Sequence, residues 1–421
     1  MQELIGDTLT NEYEEFHYNF IWWPMEDYRQ ISWDAIFGMT NTTLDFSQPE
    51  TPIRRGLTSP AVLRALWDIF FYRDYTQYGE VFGKNYRLSN WPLRHGLRLY
   101  IRNDVKAGLW DFGAGAANAH IDPYVDPYAE NDLILSPNLV LTGSTEAGNF
   151  FNAHQVAVGT DGTIFILDAG NFRVQAFSAD GTFLTSWGSQ GAEAGQFNDP
   201  WGIAADEEYV YVADTWNHRI QKFTYDGEFV LSFGQYGSLG NGDNNDDQFY
   251  GPRNIVLLND NRLLIADTGN HRVQVYDRDG NYQNSFGGFG TALGQMYEPV
   301  GLGVSADGTI FLGDTWNGRI QRFNQDFSAF YDWGLNAWRG DTNTQKPYLA
   351  IDSQGRIYIT DPDRHRVIVF DANGNYLARF GQFGTGNGQF NLPNGLFIDA
   401  EDNIYVADTG NNRIVRFPPL P

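Results

Sequence analysis

The chain contains no cysteine and only 4 methionines. Without cysteine it forms neither disulfides nor thiolate zinc sites, and it has no thiol nucleophile. Basic residues are also scarce, since 28 Lys and Arg stand against 52 Asp and Glu, which gives a formal net charge of -24. Because a surface this acidic repels phosphate backbones and no basic patch is segregated in the sequence, the composition argues against nucleic-acid binding.

Long hydrophobic runs are missing as well. The first residues, MQELIGDTLTNEYEEF, lack the basic start and apolar core of a signal peptide. No stretch approaches the roughly 20 apolar residues that a membrane-spanning helix needs. We therefore expect the chain as given to be soluble, and a piece cut from a larger protein would look the same.

Aromatic residues and glycine are abundant, at 16% of the chain and 46 copies, a composition typical of short β-strands joined by tight turns. One segment, DTWNHRIQKF, recurs with small changes throughout the C-terminal part. Its copies begin at Asp168, Asp214, Asp267, Asp314, Asp361 and Asp408. Each lies among alternating runs bounded by Asp-Gly or Asn-Gly turns, a pattern that predicts four antiparallel strands. Six such units predict a six-bladed β-propeller.

The last repeat ends after its third strand, at Phe417, and is followed only by PPLP. Before the first repeat, NLVLTGSTEAGNF parallels the strand and linker found between later repeats. We expect residues 138–143 to supply the missing outer strand and so to close the ring without an open edge. The predicted propeller covers residues 131–421.

The core D-x-G-N-x-R-[IV]-Q resembles NHL repeats in all six copies, over roughly two-thirds of the chain. NHL propellers are mostly scaffolds for protein, nucleic-acid or ligand recognition, and related six-bladed propellers include lyases and lactone hydrolases. The resemblance therefore implies the architecture far better than the chemistry.

Residues that recur in every blade are assigned to the scaffold, because a catalytic group is needed only once. We expect the repeat Arg to bind the repeat Asp and the aromatic residue before each linker glycine to pack between blades. Three histidines directly precede the repeat Arg, and we assign them a surface or turn role in preference to metal ligation. They are His218, His271 and His365.

Function is expected where the repeats differ. The residue after the Pro-type position at the start of each innermost strand, near the channel mouth in the NHL fold, differs in every blade. A second variable position, two residues after the repeat Asp, holds tryptophan twice. Flat apolar surfaces combined with amide and guanidinium donors suit sugars or a peptide, with ordinary loop packing as the alternative. The predicted ligand-binding residues are His154, Trp201, Trp216, Arg253, Trp316, Tyr348 and Asn394.

A metal-dependent lyase or lactone hydrolase would need carboxylate, amide or His ligands in the channel. The innermost strands offer only His154, Asn254 and Asn394, a thin ligand set. In the insertion GNGDNNDDQ, the residues Asp243, Asn245 and Asp247 alternate like the first ligands of a calcium loop. The expected glycine and the twelfth-position Glu are missing, so a solvated acidic loop is favoured over a Ca²⁺ site.

Residues 1–130 do not repeat and predict a small α+β domain with a linker, because EFHYNFIWWP alternates like a strand and SPAVLRALWDIFFYRDY has helical spacing. The stretches IWWPMEDYR, ALWDIFFYRDY and LRLYIRNDVKAGLWDFG resemble the extracytoplasmic region of multi-spanning mannosyltransferase-type membrane proteins, some of which end in NHL repeats. This resemblance implies a periplasmic or cell-surface location and a membrane-embedded glycosyltransferase-like region outside this chain.

The sequence thus predicts an all-β, six-bladed β-propeller of NHL repeats with a small N-terminal α+β domain. Its expected function is non-catalytic recognition of a glycan or protein, with no cofactor beyond a weakly indicated Ca²⁺. A metal-dependent propeller enzyme and a structural assembly domain are the alternatives.

Overall fold

The computed structural model describes residue 126 and residues 128–238, 246–335 and 347–421. The chain divides into two units, and the described strands belong to the second, Pro127–Pro421. The predicted N-terminal α+β domain lies outside the described residues, apart from its last few positions.

Six four-stranded antiparallel sheets form the blades of a propeller in the described part of the chain. Blade 1 contains Ala153–Val158, Ile164–Asp168, Arg173–Phe177 and Phe183–Trp187, and blade 2 contains Gly202–Ala205, Tyr209–Asp214, Arg219–Thr224 and Phe229–Phe233. Blade 3 contains Pro252–Leu257, Arg262–Asp267, Arg272–Asp277 and Tyr282–Gly287, and blade 4 contains Pro299–Val304, Ile310–Asp314, Arg319–Phe323 and Ala329–Gly334. Blade 5 contains Leu349–Ile351, Ile357–Asp361, Arg366–Phe370 and Tyr376–Phe380, and blade 6 contains Pro393–Ile398, Ile404–Asp408, Arg413–Phe417 and Leu139–Leu141.

The ring closes through the last blade. Leu139–Leu141 pairs antiparallel with Arg413–Phe417, with Val140 opposite Val415. This strand lies within the segment 138–143. The first strand of every blade contacts the first strands of both neighbouring blades, and those of blades 6 and 1 also meet. The six first strands therefore surround one central channel.

Aromatic side chains at the ends of the fourth strands fill the gaps between blades. The ring centroid of Trp187 in blade 1 lies 5.9 Å from that of Phe223 in blade 2. The ring centroid of Phe233 in blade 2 lies 4.8 Å from that of Tyr276 in blade 3. A Cβ on Gly227, in the hairpin of blade 2, would lie 2.6 Å from the Trp187 ring, and φ there is 86°. Glycine is thus required at this turn both by the backbone and by the neighbouring ring. The predicted packing between blades is confirmed for Trp187, Phe233, Phe286, Trp333 and Phe380.

The repeat Asp is the centre of a buried hydrogen-bond network, which blade 3 shows in full. Oδ2 of Asp267 accepts from Arg272 Nε at 2.8 Å and from the side-chain amides of Asn270 and Gln274 at 2.9 Å each. Oδ1 accepts the backbone N–H of Tyr250 at 2.7 Å. One carboxylate therefore joins the linker, the second strand and the third strand.

The Asp–Arg ion pair is present in all six blades, with distances of 2.6 to 2.9 Å. Blade 5 keeps the pair but has Arg364 and Ile368 where blade 3 has the Asn and Gln donors. Burial raises the pKa of Asp361 to about 6 despite its contact with Arg366. The scaffold role is confirmed for Arg173, Arg219, Arg272, Arg319, Arg366 and Arg413.

The two faces of the propeller are built differently. Pro252, at the start of a first strand, pairs with Asp267, at the end of the second strand. The linkers between blades and the turns from second to third strands therefore share one side, which we call the linker face. Turns from first to second strands and hairpins from third to fourth strands lie on the opposite side, the hairpin face. Short 3-10 helices on the linker face span Ala169–Asn171, Thr215–Asn217, Thr268–Asn270, Pro362–Arg364 and Thr409–Asn411.

Candidate functional site: the channel mouth on the linker face

The variable residues at the starts of the first strands lie together at the mouth of the channel. Strand pairing is irregular at this position in blades 1, 3, 4 and 6. An irregularity of this kind releases a side chain from the in-and-out alternation of the strand. The mouth residues are His154, Trp201, Arg253, Val300, Tyr348 and Asn394.

Trp201 is the centre of a stacked cluster. The His154 ring lies 4.0 Å from the Trp201 ring between centroids, and the Arg253 guanidinium carbon lies 4.1 Å from the same ring. Nδ1–H of His154 donates to Pro200 O at 3.0 Å, and Nε2 accepts from the Asn152 amide at 2.9 Å. This neutral tautomer satisfies both bonds. Burial lowers the pKa of His154 to about 4, and the charge of Arg253 adds to that effect.

Tyr348 crosses the channel from blade 5. Its hydroxyl donates to Trp201 O at 2.9 Å and lies 3.0 Å from Arg253 O, so it links blade 5 to the backbones of blades 2 and 3. Tyr348 is fully buried and packs in one core cluster with Trp201 and Val300. Burial raises the pKa of Tyr348. The hydroxyl is therefore a donor that holds the mouth together.

Two side chains at the mouth carry buried polar atoms without partners among the described residues. Arg253 Nη1 is buried and makes no hydrogen bond. Asn394 is 1% exposed, and neither its amide nitrogen nor its amide oxygen is bonded. Buried polar groups are paired in most folded proteins, so these atoms indicate a place for water or for a polar ligand.

At and beside the mouth, two carboxylates bind three indoles. Nε1 of Trp216 donates to Asp199 Oδ2 at 3.1 Å, and Trp201 Nε1 donates to the same oxygen at 3.0 Å. In blade 4, Trp316 Nε1 donates to Glu298 Oε2 at 2.5 Å. These hydrogen bonds hold all three indole rings in place. The Trp216 side chain remains 44% exposed.

Sequence reasoning missed Asp199 and Glu298. Both have left-handed backbones, with φ of 46° and 47°, and both directly precede a proline in the sequence. A signal was present, because the two blades with tryptophan after the repeat Asp are the blades with an acid before this proline. The blades with glycine at the tryptophan position have Asn152, Gly251 and Leu392 instead.

Four residues each fasten one blade to the next, at four of the six junctions, and we call them the latch residues: His218, His271, His365 and Asn412. Each has φ between 52° and 57° and accepts the backbone N–H that starts the following blade. The pairs are His218 with Gly251 (3.2 Å), His271 with Glu298 (3.1 Å), His365 with Leu392 (3.1 Å) and Asn412 with Asn152 (2.7 Å). The expected turn role of the histidines is confirmed, and it includes this contact between blades.

An exposed aromatic ring rests on each latch histidine. The centroid distances are 4.8 Å for Tyr236 on His218, 5.0 Å for Phe289 on His271 and 4.8 Å for Phe383 on His365. All three rings belong to linkers. The linker face therefore presents these rings around the mouth, together with Phe151 and Trp216.

Comparison with known proteins agrees with this architecture. Residues 340–418 match the family described as a 6-bladed beta-propeller, and residues 197–223 and 249–276 match the NHL repeat. The propeller contains NHL repeats. A segment of 51 residues is 39% identical to the RING finger protein nhl-1 of Caenorhabditis elegans, and it covers 12% of this chain and 5% of that protein.

Solved structures similar to this NHL propeller include virginiamycin B lyase from Staphylococcus aureus, at 15% identity and a TM-score of 0.44 over 64% of this chain and 80% of that one. A gluconolactonase from Xanthomonas campestris has 15% identity and a TM-score of 0.47 over 70% and 99% of the two chains. A protein of unknown function from Bacteroides thetaiotaomicron has 16% identity and a TM-score of 0.48 over 68% and 73%.

The NHL propeller brings most of the predicted ligand-binding residues together, but not as one open aromatic surface. Trp201 is 6% exposed and Tyr348 0%, because both rings close the channel. Trp216 and Trp316 lie at the edge of the mouth, and Arg253 lies on Trp201. The prediction that these residues bind a ligand stays a prediction, with Trp216 as its exposed member.

The weak calcium loop is only partly visible, since Asp243 and Asn245 lie outside the described residues and Asp247 is exposed. Within the described ranges, no group of three or more His, Asp or Glu is placed to hold a metal ion. No helix in those ranges is long and apolar enough to cross a membrane.

Proposed function

We propose that this chain is a recognition module whose NHL propeller binds a protein or glycan on the linker face without catalysing a reaction. The observation that supports this most directly is the distribution of exposed aromatic residues. Phe151, Trp216, Tyr236, Phe289 and Phe383 all lie in linkers or turns of one face. Exposed apolar patches on soluble proteins commonly mark interaction sites, and aromatic residues contribute strongly to binding.

The aromatic rings are also held in position before any ligand arrives. Three rest on latch histidines, and the Trp216 indole is bonded to Asp199. Side chains that are already ordered lose little conformational entropy on binding, which increases affinity. A mouth with fixed rings and an unpaired guanidinium fits selective recognition.

The test screens the full chain against a glycan array and a displayed library of random peptides. The triple variant Trp216→Ala, Phe289→Ala, Phe383→Ala should lose the hits. A matched control, Leu184→Ala with Leu377→Ala, removes exposed apolar side chains from the fourth strands and should keep them. Hits that survive the triple variant, or a complete lack of hits with the wild-type chain, would contradict the proposal.

A metal-dependent propeller lyase or lactone hydrolase is the second candidate. The observation that favours it is the buried, unbonded amide of Asn394, since an amide oxygen is a common Ca²⁺ ligand. Thermal-shift titration with Ca²⁺ and with EDTA tests it directly. A melting temperature that neither reagent changes would remove this candidate in the form described.

The location of the chain is a separate proposal, supported by the resemblance of segments in residues 1–130 to mannosyltransferase-type membrane proteins. We propose an extracytoplasmic location, next to a membrane-embedded glycosyltransferase-like region. Protease treatment of intact cells that produce the tagged protein tests this. Resistance to protease until the cells are lysed would contradict a cell-surface location.

A further inference from the structure

One arginine on the linker face lacks the partner that the others have. The arginines that begin the third strands each bind a repeat Asp, and Arg364 lies 4.0 Å from Asp361. Arg253 makes no ion pair with any described residue, and its Nη1 is buried without a hydrogen bond. A guanidinium removed from water without an anion is costly. The channel mouth therefore lacks a hydrogen-bond acceptor for the Arg253 guanidinium.

The nearest acids are directed elsewhere. Asp199 Oδ2 accepts from both Trp201 and Trp216, and Glu298 Oε2 accepts from Trp316. Both carboxylates are close enough to favour the charged form of Arg253, although burial has the larger effect and lowers its pKa. Each acid thus has one oxygen bonded to an indole. We infer that the guanidinium, which forms an ion pair with neither acid, keeps donors for a ligand.

We propose that the channel mouth binds a hydroxyl-rich monocarboxylate of the uronic-acid type, a proposal that rests on the recognition function of the linker face. The planar guanidinium of Arg253 matches a carboxylate with two parallel hydrogen bonds. Asp199 and Glu298 accept from sugar hydroxyls and repel a second negative charge, so phosphate and sulfate fit less well. The exposed ring of Trp216, bonded to Asp199, gives the sugar ring a flat apolar surface.

Asn394 supports the same ligand class independently of Arg253. It occupies the equivalent mouth position in blade 6, is 1% exposed and has both amide atoms unbonded. A side-chain amide has N–H donors and an acceptor oxygen, and hydroxyl groups can pair with both. A purely apolar ligand would leave Asn394 and Arg253 unpaired.

The test is calorimetric titration of the full chain with glucuronate, glucose and inorganic phosphate at neutral pH and low salt. Glucuronate should bind at least about tenfold more tightly than glucose or phosphate. Arg253→Gln should weaken glucuronate binding about tenfold or more, and Arg253→Lys, which keeps the charge but not the planar pair of donors, should give an intermediate loss.

The matched control is Arg322→Gln. Arg322 also makes no ion pair with a described residue, but it lies over Phe311 and Phe330 in blade 4, and it is not one of the mouth residues. Its loss should leave glucuronate binding unchanged.

Equal affinity for glucose and glucuronate, unchanged binding in Arg253→Gln, or no glucuronate binding would overturn the proposal. Peptide or glycan hits on the linker face without glucuronate binding would overturn only this inference and leave the recognition function standing. The absence of both glucuronate binding and such hits would overturn both proposals.

Discussion

The linker face and the hairpin face use the same residue types for different purposes. On the hairpin face, carboxylates shape the turns: Asp180 accepts from Ser178 and from the N–H of Thr182, and Asp307 does the same with Ser305 and Thr309. On the linker face, the repeat carboxylates are buried against arginine, and aromatic rings are exposed. Among described residues, no large exposed apolar side chain lies in a hairpin-face turn.

The pKa shifts of the aspartates also differ between the two faces. The hydrogen bond from Ser178 holds the pKa of Asp180 below its usual range, and Ser305 does the same for Asp307. On the linker face, burial raises the pKa of Asp267 and of Asp361. Acidification therefore weakens the turns of the hairpin face, whereas protonation of the buried acids of the linker face stabilises the folded state. The comparison shows that one face is specialised for solvation and the other for burial and contact.

The largest effect should come from breaking a buried network on the linker face. Asp267→Ala leaves Arg272 buried without its anion and removes the acceptor of Asn270 and Gln274. We expect the free energy of unfolding to fall by about 3–5 kcal/mol, measured by urea titration. Asp307→Ala on the hairpin face is the matched control and should have a much smaller effect. Equal losses would mean that the two faces do not differ in this way.

His154 should make stability depend on pH. Its folded pKa of about 4 lies below the unfolded value of about 6.5, so the unfolded state binds the proton first. The unfolding free energy should fall as the pH drops from 6.5 towards 4, by about 3 kcal/mol in total.

The measurement for this prediction is the difference between wild type and His154→Gln in urea titrations across that range. Taking the difference removes contributions such as Asp361, whose raised folded pKa acts in the opposite direction and adds stability as the pH falls from about 6. A difference that stays constant with pH would contradict the buried neutral imidazole.

Two glycines with left-handed backbones separate backbone strain from crowding. Gly227 in a hairpin has φ of 86°, and Gly195 in a linker has φ of 76°. A Cβ on Gly227 would meet Trp187 at 2.6 Å, whereas nothing lies within 4 Å of one on Gly195. We expect Gly195→Ala to cost about 1 kcal/mol and Gly227→Ala about 2–4 kcal/mol because the ring must also move. Equal midpoints of urea unfolding for the two variants would show that the Trp187 contact is unimportant.

The smallest effect should come from a single latch. His271→Ala removes the acceptor of the Glu298 N–H and should lower the unfolding free energy by about 1 kcal/mol. His271→Asn should recover most of it, since Asn412 forms the equivalent bond in blade 6. Hydrogen exchange at the Glu298 amide is the specific readout. Faster exchange in the Asn variant than in the Ala variant would contradict the latch.

The sequence was sufficient to predict the six blades, because each repeat carries its own strands, turns and buried ion pair. Aligning the repeats also identified the mouth residues, because these are positions at which the blades differ. Burial could not be predicted there: Tyr348 reaches across the channel to the backbones of blades 2 and 3, and no local pattern reports a contact between blades so distant in sequence. Periodicity also gives no sign that Trp216 and Trp201 share one oxygen of Asp199.

Blade 6 takes three strands from the C-terminal end of the propeller sequence and its fourth, Leu139–Leu141, from the beginning. These strands meet only after almost the whole propeller has been synthesised, so the ring cannot close during early translation. Contacts between residues so far apart in sequence slow folding. Until Arg413–Phe417 leaves the ribosome, Leu139–Leu141 has no partner strand, and the nascent chain exposes an unpaired strand that chaperones would need to protect.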